Sequence, residues 1–275
     1  MTNWQKGVKY GAIALAIFLI LIIISVIFSL VMIFVPHDYS HHHNNYVGDY
    51  NNNGNYNDNN NVNYSNITNL EIDLDNATLE IKKGTEFKIE TYDISDNFKT
   101  HTTNNKLYME EEHFWFWDKA HSRVTIYVPD SLDNVDIDIG AGKLILDSIQ
   151  IKRLDLDLGS TETELNNIEA LKSSISCGAG KINATNSTFN DLELETGVGE
   201  VNLEGTITGR SSIETGVGKV NLNLLGGADI YQFNIDKGLG NVNIAGEKCD
   251  GRTYGTGTNT IYLETGIGNV DINFS

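Results

Sequence analysis

The chain has 275 residues, room for one or two domains, and its 37 acidic against 19 basic side chains give a formal net charge of -18. That excess excludes nucleic-acid binding, which needs a basic footprint, and suits a self-repelling surface that attracts cations or basic partners. Cys177 and Cys249 are too few for a disulfide framework or a thiolate zinc site; they read as isolated thiols, with a single bridge between them as the alternative.

The first element is Gly11 to Val35, GAIALAIFLILIIISVIFSLVMIFV, which contains no charged residue. At about 1.5 Å per residue it covers roughly 37 Å, enough to cross a ~30 Å hydrocarbon core with some tilt. The flank VPHDYSHHH lacks a small-residue cleavage pattern, so the span reads as an uncleaved anchor rather than a signal peptide. Lys6 and Lys9 precede it and no acid does, which places the N-terminus in the cytoplasm and everything after Pro36 outside. Residues 1–35 are thus expected to be a cytoplasmic tip and single-pass anchor in the cell membrane. Residues 36–66 follow as a linker rich in Asn, Tyr and His, without the apolar periodicity a core needs, and are expected to be disordered. His37 and His41–His43 sit there with no Cys or acid at ligand spacing, so no metal site is assigned to them.

Residues 67–275 carry a repeat. Glycines recur every 19 residues at Gly140, Gly159, Gly178, Gly197 and Gly216, then after 22 at Gly238 and after 28 at Gly266. A second glycine stands two places on at Gly142, Gly180, Gly199, Gly218, Gly240 and Gly268, with Thr161 as the exception. Counting the first glycine as position 0, apolar residues fill positions -3, +4 and +6 with Thr163 as the one exception, and polar residues alternate with them. Ile137, Leu144 and Leu146 are one such set. Alternation of this kind marks half-buried strands, and a fixed period near twenty marks stacked coils. The expected fold is all-β: a parallel β-solenoid of about eight to ten ~19-residue coils, right-handed by default. One strand is expected before each G-x-G corner and one after it, because glycine accepts positive φ. Asp75-Asn76-Ala77 replaces that corner in an earlier coil, and Asp and Asn tolerate left-handed geometry.

Stacking turns equal positions into ladders about 4.8 Å apart. Position +3 alternates Lys143, Glu162, Lys181, Glu200, Lys219, which sets opposite charges side by side. Asn183, Asn202, Asn221 and Asn243 at +5 form an expected amide ladder. Positions -4 and -2 make one face acidic, through Asp136, Asp138, Asp155, Asp157, Glu193, Glu195, Glu214, Asp236 and Glu264. That face reads either as a surface that holds cations or a basic polymer, or as a solvated face that prevents sheet association. The calcium β-roll motif does not fit, since Val201 stands where it requires Asp.

Two irregular stretches remain. EEEHFWFWDK, Glu110 to Lys119, clusters Trp115 and Trp117 with Phe114 and Phe116, a patch suited to lipid headgroups or carbohydrate, or to capping an open solenoid end. GEKCDGRTYGTG, Gly246 to Gly257, reads as a loop inserted in the penultimate coil. There is no G-x-S-x-G, H-E-x-x-H or P-loop motif, so no catalytic, cofactor-binding or metal residues are assigned and the chain reads as non-enzymatic. A β-helix enzyme that processes polysaccharide would need a basic partner for its acids, and Lys152, Arg153, Arg210 and Arg252 are scattered over different coil positions.

The stretch VTIYVPDSLDNVDIDIGAGKLIL, Val124 to Leu146, followed by repeated TGVGxVNL, resembles the bacterial putative-adhesin β-strand-repeat family. It also resembles the extracytoplasmic part of LiaG-like envelope proteins. The resemblance covers about residues 66–275. It implies a membrane-associated or surface domain without established molecular function, and brings no active-site residues. The expected role is an adhesion, interaction or envelope-stress module whose partner is an envelope protein or a cell-wall polymer. The alternative is cation or wall-polymer binding through the acidic ladder.

Overall fold

The computed structural model describes residues 66–95, 97–111, 121–129 and 131–275. The expected membrane span, the linker up to residue 65 and the Trp115–Trp117 run lie outside them. Among the described residues no helix is long and apolar enough to cross a membrane. The strands are β1 Asn69–Lys83, β2 Lys88–Tyr92, β3 Phe98–Thr103, β4 Lys106–Glu111, β5 Ser122–Val128, β6 Leu132–Asp147 and β7 Gln150–Asn166. They continue with β8 Glu169–Asn190, β9 Leu192–Thr208, β10 Arg210–Leu224, β11 Tyr231–Ile244, β12 Glu247–Lys248, β13 Thr253–Gly255 and β14 Asn259–Phe274. All belong to one sheet dominated by parallel pairing, and the fold is all-β and solenoid-like.

From β6 to β10 each rung bonds to the one before it at an offset of 19, Val135 beside Leu154, Leu154 beside Ser173, Val201 beside Ile182 and beside Val220, except where a bulge between Thr185 and Ser187 shifts the end of β8 by one against β9. The apolar columns expected from the alternation are therefore stacks. One runs Ile72, Ile137, Leu156, Ile175, Leu194, Ile213, Leu263, Ile235, and every member is buried. At roughly 1.5–3 kcal/mol for each fully buried aliphatic side chain, these columns are the main stabilising term.

The sequence expectation needs four corrections. First, the strands do not stop at the G-x-G. β6 runs unbroken from Leu132 to Asp147, because its bonds to the next rung continue on both sides of Gly140. At Gly142 φ is +130°, and a Cβ there would stand 2.0 Å from the Ala77 carbonyl oxygen. The corner therefore excludes a side chain both by conformation and by the closeness of the neighbouring rung. Thr161 fills the same column by keeping φ negative and turning inward, where its hydroxyl lies 3.2 Å from that of Thr163.

Second, Asp75 and Asn76 do occupy a corner, since Asn76 and Ala77 pair with Ala141 and Gly142, but neither has positive φ. The left-handed Asn residues sit at a different bend. Ser148, Asn167 and Asn186 have φ of 60°, 54° and 50° at a spacing of 19, and Asn186 donates to Asn167 Oδ1 at 2.8 Å.

Third, the rungs are not stacked in chain order at either end. The order is β4, β1, β6, β7, β8, β9, β10, β14, β11, so β1 lies inside β4, and β14 lies between β10 and β11. Fourth, residues 246–257 are not simply an inserted loop. They supply β12 and β13, which pair antiparallel with β11 and cover the outer edge. The opposite end is covered likewise by β3 on β4 and β2 on β5. Unpaired edges invite intermolecular strand pairing, and antiparallel covers blunt them.

Candidate functional site: the acidic face

All nine acids singled out in the sequence lie on one side of the stack. Position -2 forms a single row: Glu110, Asp73, Asp138, Asp157, Ser176, Glu195, Glu214, Glu264, Asp236. Eight of nine rungs thus present a carboxylate, over a length of about 38 Å. Glu264 stands between Glu214 and Asp236, the reverse of the order expected from the chain. The neighbouring row at -4 runs Glu71, Asp136, Asp155, Ser174, Glu193, Ser212, Tyr262, Asn234. Glu71, Asp73 and Glu110 were missed. The first two alternate with Leu70, Ile72 and Leu74, so the pattern was available; Glu110 lies on a strand outside the 19-residue period.

The two rows differ electrostatically. The -4 row is partly neutralised by bases at -6: Arg153 Nε donates to Asp155 at 2.7 Å, and Lys106 pairs with Glu71. Partial desolvation alone would lower the Lys106 pKa, but the Glu71 hydrogen bond and charge outweigh it and raise it. Asp136 keeps contact with solvent, yet packing around its carboxyl raises its pKa, and the charges of Glu71 and Asp155 add to the rise. In the -2 row, Glu110 pairs with Lys99 at 2.9 Å at one end, whereas Asp157, Glu195, Asp236 and Glu264 have no side-chain partner among the described residues, and Glu214 accepts only from Ser212 Oγ, at 3.1 Å. Among the described residues no three His, Cys, Asp or Glu side chains converge on a common metal position. Carboxylates that point outward in parallel from successive rungs form a line of charge, not a coordination shell.

The +3 row behaves differently. Lys143, Glu162, Lys181, Glu200 and Lys219 are neighbours in the alternating order, with Lys181 Nζ 3.5 Å from Glu200 and Lys143 Nζ 3.9 Å from Glu162. Lys143 lies closer to Glu164, at 2.6 Å, and Lys219 turns to Asp271 at 3.9 Å. Beside it the amide ladder runs Asn183, Asn202, Asn221, with Nδ2 to Oδ1 distances of 2.9 and 2.6 Å. It then meets Asp271, and Asn243 donates to Asp271 from the far side at 2.8 Å. Asn243 is therefore not next to Asn221, because β14 intervenes.

At the C-terminal end of the acidic face, β13 raises a wall beside the rows. Glu214, Glu264, Asp236, Tyr262, Ser212 and Arg252 line an open hollow of about 580 Å³ there. Arg153 and Lys152 bind Asp155 and Asp133 instead, so the bases considered for an enzyme are not gathered at one point. Cys177 is buried and Cys249 half-buried, and both are free thiols. Burial raises the Cys177 pKa, and its contacts with Thr161 only partly offset this.

The molecule is thus an all-β stack whose exposed chemistry is arranged in rows along its length. The chain belongs to the Toastrack DUF4097 family, whose model matches residues 67–254, in accord with the putative-adhesin β-repeat resemblance of Val124–Leu146. No curated protein matches it. It is similar to the crystal structure of a putative cell adhesion protein from Clostridium sporogenes, with a TM-score of 0.36 and 17% identity over 77% of this chain and 95% of that one. It is also similar to a putative adhesin from Bacteroides fragilis, with a TM-score of 0.41 and 13% identity over 75% of this chain and 93% of that one.

Proposed function

We propose that the chain is a non-enzymatic interaction module, anchored in the cell membrane by residues 1–35 and displaying its stack outside the cell. There it serves in adhesion or in docking an envelope partner. The observation that carries this reading is a contrast between two rows on the same rungs. At +3 the chain alternates Lys and Glu and neutralises itself; at -2 it repeats one sign. Solubility alone is met by mixed charges, so a single-sign row asks for an oppositely charged partner that is itself extended. Membership of the Toastrack family supports the all-β stack on which this reading is built.

The test compares the full chain with an Asp157→Asn, Glu195→Gln, Glu214→Gln, Glu264→Gln variant, by calorimetry against polylysine, Ca²⁺ and Mg²⁺. The reading expects polylysine to bind the parent chain and to lose at least tenfold in affinity on the variant. Heat with Ca²⁺ that disappears in the variant, together with no polylysine binding, would favour the second reading, cation holding. Topology is checked by labelling Cys249 with a membrane-impermeant maleimide in intact cells; protection of the thiol until lysis would contradict display outside.

A further inference from the structure

Position +1 lies between the two glycines at the tip of each corner. Along the stack it runs Asn76, Ala141, Ser160, Ala179, Val198, Val217, Ile267, Leu239. Its N-terminal half is small or polar. Its C-terminal half is four large apolar side chains on consecutive rungs, and Val198, Val217, Ile267 and Leu239 are 56, 44, 52 and 72% exposed. Each stands between glycines, with no adjacent side chain in its own strand to shade it. The corner does not require this bulk, because Ala141, Ser160 and Ala179 hold the same position in the same column. An aligned apolar ridge kept in water is unfavourable unless something covers it.

The flanks indicate what covers it. On one side run the carboxylates of Glu195, Glu214, Glu264 and Asp236; on the other run Glu200, Lys219, Asn269 and Asn241. A second copy seated ridge to ridge would set each carboxylate row against the other when antiparallel, or against the mixed row of Glu200, Lys219, Asn269 and Asn241 when parallel, and neither is a basic partner. An anionic lipid surface would be repelled by the carboxylate row. A cationic polypeptide with an apolar stripe is complementary on both counts. Rungs are about 4.8 Å apart and a helix rises 5.4 Å per turn, so a helix lying along the ridge drifts under ~2 Å over four rungs.

We propose that the ridge Val198–Val217–Ile267–Leu239, with the carboxylate row beside it, seats a basic amphipathic helix of a partner protein. The helix lays its apolar stripe on the ridge and its Lys or Arg side chains on Glu195, Glu214, Glu264 and Asp236. The inference rests on the reading of the acidic row as a docking face, and narrows it to one half of the stack and one kind of partner.

The probe is a fluorescent 14-residue Leu/Lys amphipathic helical peptide. It is titrated against the full chain in phosphatidylcholine nanodiscs, with empty nanodiscs subtracted. A Lys-only peptide of equal charge and a Leu/Glu peptide of the same pattern are the controls. The variant is Val198→Ser, Val217→Ser, Ile267→Ser, Leu239→Ser; Ser160 shows that serine suits the corner, and an unchanged melting temperature confirms the fold. The Leu/Lys peptide should bind at least tenfold more tightly than the Lys-only peptide, and the Leu/Glu peptide should not bind. The variant should lose that tenfold advantage while binding the Lys-only peptide as the parent does. Equal binding of the Leu/Lys peptide by parent and variant overturns the ridge proposal, and the acidic-row reading survives if the Lys-only peptide still binds. Two other results also overturn it: ridge-dependent binding to phosphatidylglycerol vesicles, which makes lipid the occupant, and ridge-dependent self-association in sedimentation, which makes it a second copy.

Discussion

The middle of the stack and its two ends obey different rules. From β6 to β10 the chain advances one rung at a time, and identical coil positions become neighbours. At the ends the order turns back on itself, with β1 tucked under β4 and β14 under β11. A repeated sequence fixes which column a residue enters, because burial of alternate side chains leaves no freedom there. It does not fix which rung lies beside which, since every rung offers the same columns. At the ends a second requirement decides: the outermost strand must be covered, so it is one that carries its own antiparallel partners, β3 and β2 on one side, β12 and β13 on the other.

The largest expected effect comes from deleting residues 259–275. This leaves β10 and β11 two rung spacings, about 10 Å, apart with no strand between them. Thermal unfolding followed by circular dichroism should show loss of the cooperative transition; a native-like melting curve would mean that the ends close without β14. Next comes a pair of glycine substitutions that set a rung corner against an end loop. Gly142→Ala places its Cβ 2.0 Å from Ala77 O and should cost more than about 3 kcal/mol, whereas at Gly246 a Cβ meets nothing within 4 Å and only the left-handed backbone penalty of about 1 kcal/mol remains. Urea denaturation measures both, and equal costs would contradict the claim that the rungs are in closest contact at the corners.

Smaller effects probe the charges. Lys181→Glu in mid-stack places three acids in succession with Glu162 and Glu200. Because these side chains are exposed, it should lower stability by no more than about 1 kcal/mol, and 1 M salt should restore most of that. The smallest effect concerns Asp136, whose folded-state pKa is raised. The folded chain then binds its proton more tightly than the unfolded chain. This residue's contribution to stability therefore falls as pH rises from the ordinary carboxyl range through the raised value, and stays lower above it. Asp136→Asn should consequently be slightly more stable than the parent at pH 7 and indistinguishable at pH 3. A deficit at pH 7 would mean that the carboxylate makes a stabilising contact that outweighs the crowding.

Much of this was legible because two periods coincide. Alternation marked the buried columns, the 19-residue step aligned them, and the acids between them followed as rows. The C-terminal order was harder, yet a signal existed. Thr196, Thr215 and Thr265 share one inward position, and Thr196 Oγ1 donates to Thr215 Oγ1 at 3.0 Å, while β11 has Lys237 there. TGIGNVDI therefore belongs beside TGVGKVNL on side-chain grounds that outrank chain order. The second bend was spelled by Ser148, Asn167 and Asn186 at the same spacing as the glycines, but the glycines drew attention to one corner alone. The closure of the C-terminal end was not legible. Tyr231 and Phe233 share β11, but Phe274 stands at the far end of β14, and only the folded coil brings its ring within 5.8 and 6.2 Å of theirs.

The slot between β10 and β11 also bears on how the molecule is made. Synthesis and export both run N-terminus first, so Tyr231–Ile244 arrives before the strand that will bond it to the body of the sheet. Until Asn259–Phe274 follows, two parallel-bonding edges face an unfilled gap one strand wide. A neighbouring chain that carries the same segment offers those edges the same strand, so reciprocal strand exchange is most open while copies fold close together.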